Sequence, residues 1–539
     1  MDIIESLKLK IQQAFSNLGQ EIALNDIVIE KSKDEAHGDY ATNVAMKFAR
    51  VFGKAPRDIA IMLIEQINRD GIEKIEIAGP GFINFFMKHD SLQAFVKKII
   101  VEDENYGRSP KKNFKINVEF VSANPTGILH VGTARGAAIG DSISRILDFA
   151  GYDVTKEYYI NDAGSQITNL ALSIQARYKG LFGIEEEIPA DGYAGRDIYE
   201  IAESIKEEIG DEALKMSDPV PYFKEKGVKI ELDRIIKDLD LFRVKFDIFS
   251  SEKAIRADNA IEKELDFLKP YTYEQENALY LKTSAFIDDK DRVIQKSNGD
   301  YTYFLPDICY HVNKLSRGFD GLIDVLGADH HGYINRMKSA LMMHGYKEDA
   351  LHVELIQMVR FLKDGQEYKA SKRRGDAITL RDVCEEVGVD AMRYFFAMRA
   401  ASGHLDFDMD LAKEQSSNNP VYYAQYAHAR LCSILEQCQD IAIDESAKNL
   451  GQPSEMALLK HLADFSNVVS DAAKDKAPYK IVNYIHALAE FVHAFYNECR
   501  VNDRTNIDVS ASRLALVKAC QIVIKNALNL IGVSAPIHM

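Results

Sequence analysis

Two short segments carry side chains suited to handling phosphates. In VEFVSANPTGILHVGTARG (118–136) an apolar run ends at Ala123, and Asn124, Pro125 and Gly127 force a turn before a helix pattern opens near Thr133. A strand, a turn and a helix start in that order place free backbone N–H groups and a positive helix end at the carboxyl edge of a parallel sheet, where nucleotides bind. His130 stands just before Gly132, whose missing side chain lets a phosphate or an adenine come close. A histidine held there can donate to a triphosphate oxygen as charge builds in a displacement at phosphorus. Taken alone, the same spacing also fits a plain loop with a surface histidine.

The second segment, YKASKRRGDAITLRDV (368–383), gathers Lys369, Lys372, Arg373 and Arg374 around Ser371, ahead of a glycine. Clustered cations on such a loop suit a pyrophosphate leaving group, whose charge they neutralise in the transition state. A solvated basic loop would read the same way by itself.

Isolated acids mark a third feature. Glu119 interrupts an apolar strand run, where an unpaired carboxylate would be costly. In YTYFLPDICYHVNK (301–314), Tyr303 and Asp307 stand four apart and approach one face if the segment is helical past Pro306. Carboxylates and flat acceptors are what a guanidinium's donor fork requires. Glu119 fits an ordinary structural pair equally well, and Tyr303 fits core packing.

The elements that must position these residues alternate in type. Strand patterns at 114–123, 153–162, 322–329 and 351–359 alternate with helix patterns at 133–152, 165–181 and 336–346, which argues for a doubly wound parallel sheet. The stretch from about 185 to 275 is charged, helical and poor in strand signals, and reads as an insertion. Residues 1–108 mix helices with short strands and close on a polar linker, ENYGRSPKKN (104–113). From 410 onward only helix patterns occur, at 420–439, 453–474, 478–502 and 509–531.

Composition bounds the class. At 539 residues the chain exceeds one core, and 46% hydrophobic with 27% charged residues is ordinary for globular protein. No apolar run approaches the ~20 residues of a membrane span, and the opening MDIIESLKLKIQQAF is amphipathic, unlike a secretory signal. Six cysteines lie scattered without a CxxC pair, which favours reduced thiols in a cytoplasmic protein over a zinc site. The net charge of −16 is concentrated in the middle of the chain, because residues 1–110 carry −3 and residues 410–539 carry −2. Indiscriminate nucleic-acid binding is therefore not expected, while docking of an RNA on a local basic face is allowed.

SANPTGILHVG resembles the first signature of class I aminoacyl-tRNA synthetases in the form used by arginyl-tRNA synthetases. YKASKRRG resembles their second, Lys-Met-Ser-Lys-Ser, with Ala370 in place of Met, about 240 residues away and in the expected order. The likeness extends to DEAHGDYATNVAMKFA (34–49), GPGFINF, GADHHGYINRMK (327–338) and SGHLDFDMDLAKEQSSNNPVYYAQYAHAR (402–430), nearly the whole chain. One departure stands out: the family usually has a second histidine where this chain has Thr133, which can cap the helix and donate one hydroxyl bond but carries no charge.

The resemblance implies a Rossmann-like α/β catalytic domain (109–409, with the helical insertion), an α+β N-terminal domain (1–108) that contacts the tRNA's outer corner, and an all-α anticodon-binding bundle (410–539). It implies ATP with Mg2+, L-arginine and tRNA(Arg) as partners, no membrane, a monomer and a cytoplasmic setting. His130, Lys369 and Lys372 would be catalytic. Asn124, Pro125, Gly127, Gly132, Thr133, Ser371 and Arg373 would complete the ATP site with His130 and Lys372. Tyr303 and Asp307 would take the guanidinium and Asn124 the α-amino end. Glu119 could serve either end, and His331 would touch substrate. Tyr422, Tyr426, Arg430 and Arg500 would meet anticodon bases. Adjacent His330 and His331 also look like a metal pair, but no further ligands cluster near them and no bound metal is expected. The family's need for bound tRNA before arginine activation is expected here too. Two other readings stay open: a class I enzyme or nucleotidyltransferase with another substrate, and a tRNA-binding paralogue without catalysis.

Overall fold

The run KINVE forms a strand buried on both faces: Ile116 and Val118 pack to one side while Asn117 and Glu119 are enclosed on the other. The computed structural model describes residues 3–32, 37–257, 259–368 and 378–539. Around that strand stands a parallel sheet of β1 (Lys115–Glu119), β2 (Asp153–Ile160), β3 (Ile248–Ser251), β4 (Gly321–Gly327) and β5 (Leu351–Ile356). The order is β5-β4-β1-β2-β3, so the chain builds outward from β1 and then crosses to its other side. The crevice between β1 and β4 at their carboxyl ends is therefore the place where a ligand fits.

The helix Ala134–Phe149 follows β1 and is buried along nearly its whole length. At Gly140 a Cβ would lie 2.3 Å from the ring of Phe120, so only glycine lets the helix pack this close to the sheet. The second helix of the unit is Gly164–Gly180.

The stretch expected to be a helical insertion is more mixed. Helices Arg196–Ile209 and Val220–Leu241 pack with Gly164–Gly180 around Leu170, Ile174, Ile198, Ile201 and Phe223. However, Ile248–Ser251 is a strand that completes the main sheet, pairing with β2 from Glu157 to Ile160. Four residues ending in two serines carry too little alternation to signal it. Beyond it, Thr272–Gln275, Ala278–Leu281 and Arg292–Gln295 make a small antiparallel sheet.

The apolar run 351–359 also divides. β5 stops at Ile356, and Val359–Lys363 joins a different sheet, parallel to Leu405–Asp408 and antiparallel to Gln366–Glu367. The helix pattern 453–474 breaks at Asp464 into Pro453–Ala463 and Phe465–Asp475.

The N-terminal unit is a four-stranded antiparallel sheet with helices Ile3–Asn17 and Pro56–Gln66. The C-terminal helices Pro420–Gln437, Tyr479–Glu498 and Ile507–Leu530 pack with the two shorter ones. The two ends of the chain touch: Lys460 pairs with Asp39 at 2.6 Å, and the Tyr106 hydroxyl donates to Leu462 O at 2.9 Å.

Candidate active site

The chain leaves β1 through a strained turn. Val121 (φ 69°) and Ser122 (φ 42°) both adopt left-handed backbone, costly for a β-branched residue. Three bonds hold it: Ser122 Oγ donates to Glu119 at 3.0 Å, Tyr159 N–H donates to Ser122 Oγ at 3.1 Å, and the Tyr158 hydroxyl donates to Ala123 O at 2.7 Å. Asn124 is then exposed, its amide donating to Gln166 at 2.7 Å, while Pro125 is buried beneath the turn. At Gly127 a side chain would point towards Asp197, 3.7 Å away.

His130 is exposed, and its Nδ1 accepts from the N–H of Gly132 at 2.8 Å. A Cβ at Gly132 would lie 2.9 Å from that nitrogen, so glycine is what lets the ring fold back. With Nδ1 occupied as an acceptor, the neutral ring carries its proton on Nε2, the donor form a phosphate needs. Of the two things Thr133 can do, its side chain makes no cap bond, while its hydroxyl donates to His130 O at 2.7 Å. The reason is local, since Thr133 already has helical backbone and the capping side chain is that of His130.

The second basic segment returns to this loop. Val131 N–H donates to Ile378 O at 3.0 Å, and Leu380 N–H donates to Leu129 O at 2.9 Å, so His130 and Thr379 form an antiparallel bridge. Thr379 then opens the helix Leu380–Val387 with a capping box to Asp382. Lys369, Ser371, Lys372 and Arg373 themselves lie outside the described residues.

Beside the loop, register places Asp324 of β4, Glu119 of β1 and Glu157 of β2 in one row across the sheet. Three neighbouring carboxylates would be untenable without cations. The helix Phe304–Ser316 supplies them, with Pro306 harmless in its first turn. Lys314, fully buried, bonds Glu119 and lies 3.0 Å from Asp324; His311 Nε2 lies 2.6 Å from Asp324, and Arg317 donates to Glu157 at 2.6 Å. Burial works against Lys314's charge, but Asp324 and Glu119 outweigh it and hold its pKa above the usual lysine value.

Asp307 lies one turn before His311 on the same helix, and no described side chain donates to its carboxyl. Burial, reinforced by the negative charges of Glu119, Glu252 and Asp324 and opposed by His311, pushes its pKa up to about 7. Tyr303 caps this helix, 85% exposed, and its carbonyl accepts from Asp307 N–H at 3.2 Å. Tyr159 and Tyr333 also border the acids, for the charge of Asp307 raises the pKa of both beyond what burial does. His331 is exposed in the turn Ala328–Tyr333 after β4. Among the described residues no group of three metal-ligating side chains occurs.

The spacing 307, 310, 311, 314 was a visible signal for the residues the sequence reading missed. Asp307, Tyr310, His311 and Lys314 fall at helical intervals in an apolar segment, the pattern of a polar stripe facing a buried partner.

On the helical bundle, Tyr422 and Tyr426 stack at 6.1 Å, Tyr426 continues onto His493 at 6.3 Å, and the Arg430 guanidinium lies 3.8 Å over Tyr496. Tyr426 and Tyr496 stay 37% and 39% exposed. Arg500 is exposed beyond the end of Tyr479–Glu498, with Arg513 donating to its carbonyl at 2.9 Å.

Comparison with known proteins agrees along the chain. Residues 5–87 match the arginyl tRNA synthetase N terminal domain, residues 95–400 the catalytic domain of class I (R) tRNA synthetases, and residues 424–539 the DALR anticodon binding domain. The chain is 48% identical to the arginine–tRNA ligase of Bacillus subtilis over 100% of both chains, and 49% identical to that of Shouchella clausii over 99% of both. Its fold is similar to that of Thermus thermophilus arginyl-tRNA synthetase, with a TM-score of 0.79 at 22% identity over 100% of both chains.

Proposed function

The chain belongs to the arginyl-tRNA synthetases, class I ligases that attach arginine to tRNA for translation, and from that premise we propose how its residues divide the work. In the first step the arginine carboxylate attacks the α-phosphorus of ATP, giving arginyl-adenylate and pyrophosphate. His130 donates from Nε2 to a phosphate oxygen, and Lys369 and Lys372, with Ser371 and Arg373, neutralise the departing pyrophosphate. Asn124, Pro125, Gly127, Gly132 and Thr133 shape the nucleotide side. Mg2+ enters with ATP as part of the substrate. In the second step the terminal 2′-hydroxyl of tRNA attacks the adenylate carbonyl and AMP leaves.

Asp307 and Tyr303 take the guanidinium, Asn124 the α-amino end, Glu119 either, and His331 touches the substrate. The unengaged carboxyl of Asp307, set among carboxylates that already have their own cations, supports this assignment: an incoming guanidinium supplies the one missing charge. Residues 1–108 meet the tRNA's outer corner and residues 410–539 read its anticodon through Tyr422, Tyr426, Arg430 and Arg500. Arginine activation waits for bound tRNA. The enzyme works as a cytoplasmic monomer.

The observation that supports the reading is the backbone pairing of Val131 with Ile378, which joins the His130 loop, beside the buried acids, to the residues that follow the basic run in sequence. Purified protein, ATP and tRNA offered each amino acid in turn would test it. Charging with arginine alone is expected; charging with another amino acid, or tRNA binding without charging, would overturn it.

A further inference from the structure

Arg135 is fully buried in the first turn of the helix that follows His130. No described carboxylate reaches it. Its Nη1 donates to Gln357 O at 3.0 Å and Gly403 O at 2.7 Å, its Nη2 donates to Ala400 O at 2.9 Å, and its Nε has no partner among the described residues. A guanidinium held by carbonyls alone is an expensive way to fill a core, since burial drives its pKa down to about 10.

The acceptors explain the arrangement. Gln357 follows β5, and its own N–H donates to Ala401 O at 2.9 Å. Residues 400–403 precede Leu405–Asp408, the strand that pairs in parallel with Val359–Lys363. Arg135 therefore grips the two loops at the base of the unit whose strand Val359–Lys363 runs on toward the basic segment. That unit returns at Ile378–Leu380 to pair with Leu129–Val131. The signature helix and the basic-loop unit are thus fastened at two points, one through side-chain donors and one through backbone.

We propose that Arg135 is a positioning residue for adenylate formation: it fixes the distance between His130 and the unit of Val359–Lys363 and Ile378–Leu380, between which the sequence carries Lys369 and Lys372, without touching substrate. This rests on the roles assigned to His130 and those lysines above. A misplacement of about 1 Å between such groups costs on the order of 100-fold in rate.

The test uses Arg135→Lys, which keeps the charge but not the three-carbonyl fork, and Arg135→Gln, which sheds the charge. ATP–pyrophosphate exchange with tRNA present, expressed per folded molecule, is expected to lose roughly 10–100-fold in kcat for both variants. The KM for arginine should stay within about twofold, because Asp307 is untouched. Hydrogen exchange should speed up together in peptides 127–134, 355–358 and 399–404. Wild-type kcat in Arg135→Lys would overturn the proposal, as would kcat and arginine affinity declining together. Exchange in the wild-type enzyme gives an arm that needs no variant: opening of 399–404 while 127–134 stays protected would also overturn it. Wild-type charging of arginine is the control, since its absence would instead sink the functional reading.

Discussion

Val131 donates its backbone N–H to the carbonyl of Ile378 across 3.0 Å, so two segments almost half the chain apart meet in an isolated antiparallel bridge. The contact uses backbone only. It places His130 directly opposite Thr379, at the carboxyl-terminal end of the segment that carries the basic residues.

Among the described residues, Lys314 is the cation that Glu119 and Asp324 share. Replacing it by methionine leaves buried Glu119 without its cation and Asp324 with His311 alone. A loss of about 3–5 kcal/mol in unfolding free energy is expected, measured by denaturant titration. A loss under ~1 kcal/mol would mean that the row of acids is compensated in some other way.

Asp307 has a pKa raised to about 7 in the free enzyme, so it is largely protonated below that pH. A guanidinium binds the ionised form, and binding must expel the proton. The KM for arginine should therefore rise about tenfold per pH unit below 7 and level off above 8. Asp307→Asn should raise it at all pH values and remove the slope. A slope that survives in the variant would assign the titration to another group.

Glu231 is buried on the helix Val220–Leu241 with one oxygen unpartnered among the described residues, and its pKa is pushed up to about 7 by burial, opposed by Arg234 and aided by Asp197. A carboxyl raised above its unfolded value stabilises the fold fully only below about 4.5, and that contribution is lost as pH climbs through 7. Glu231→Gln should therefore be more stable than wild type by ~1–3 kcal/mol at pH 8, with the gain fading near pH 5. Melting curves at both values decide it; a gain independent of pH would contradict the assignment.

Arg430 covers one face of Tyr496 and meets the Tyr426 hydroxyl at 3.3 Å, closing the aromatic ladder on the bundle. If the ladder stacks anticodon bases, Tyr426→Ala should raise the KM for tRNA by about 1–3 kcal/mol equivalent, with the KM for ATP unchanged. Aminoacylation kinetics with varied tRNA read this out. An unchanged tRNA KM would leave the rings as bundle packing.

Much of the site was legible because its signals are local. The turn at Asn124, Pro125 and Gly127, the His130–Gly132 pair and the lone acids Glu119 and Asp307 each announce themselves by type and spacing. Thr133, able by type either to cap or to donate one hydroxyl bond, does only the second, since a cap depends on backbone angles that the sequence does not display. Ile248–Ser251 was missed because its place in the sheet comes from pairing with β2, and its own residues have little strand character. The break of 351–359 at Gln357 depends on Arg135 and Ala401, partners from distant parts of the chain. Row-mates Asp324, Glu119 and Glu157 likewise became visible only through strand register.

Whether His130 and the basic segment act on one triphosphate is decided most directly by a double-mutant cycle. His130→Ala, Lys372→Ala and the pair are compared in ATP–pyrophosphate exchange with arginine and tRNA present. Convergence on the same phosphates predicts strong non-additivity, a coupling of roughly 1–3 kcal/mol, with the double variant little worse than the poorer single one. Losses that simply add would contradict the account, because they would mean that the two groups work at separate places.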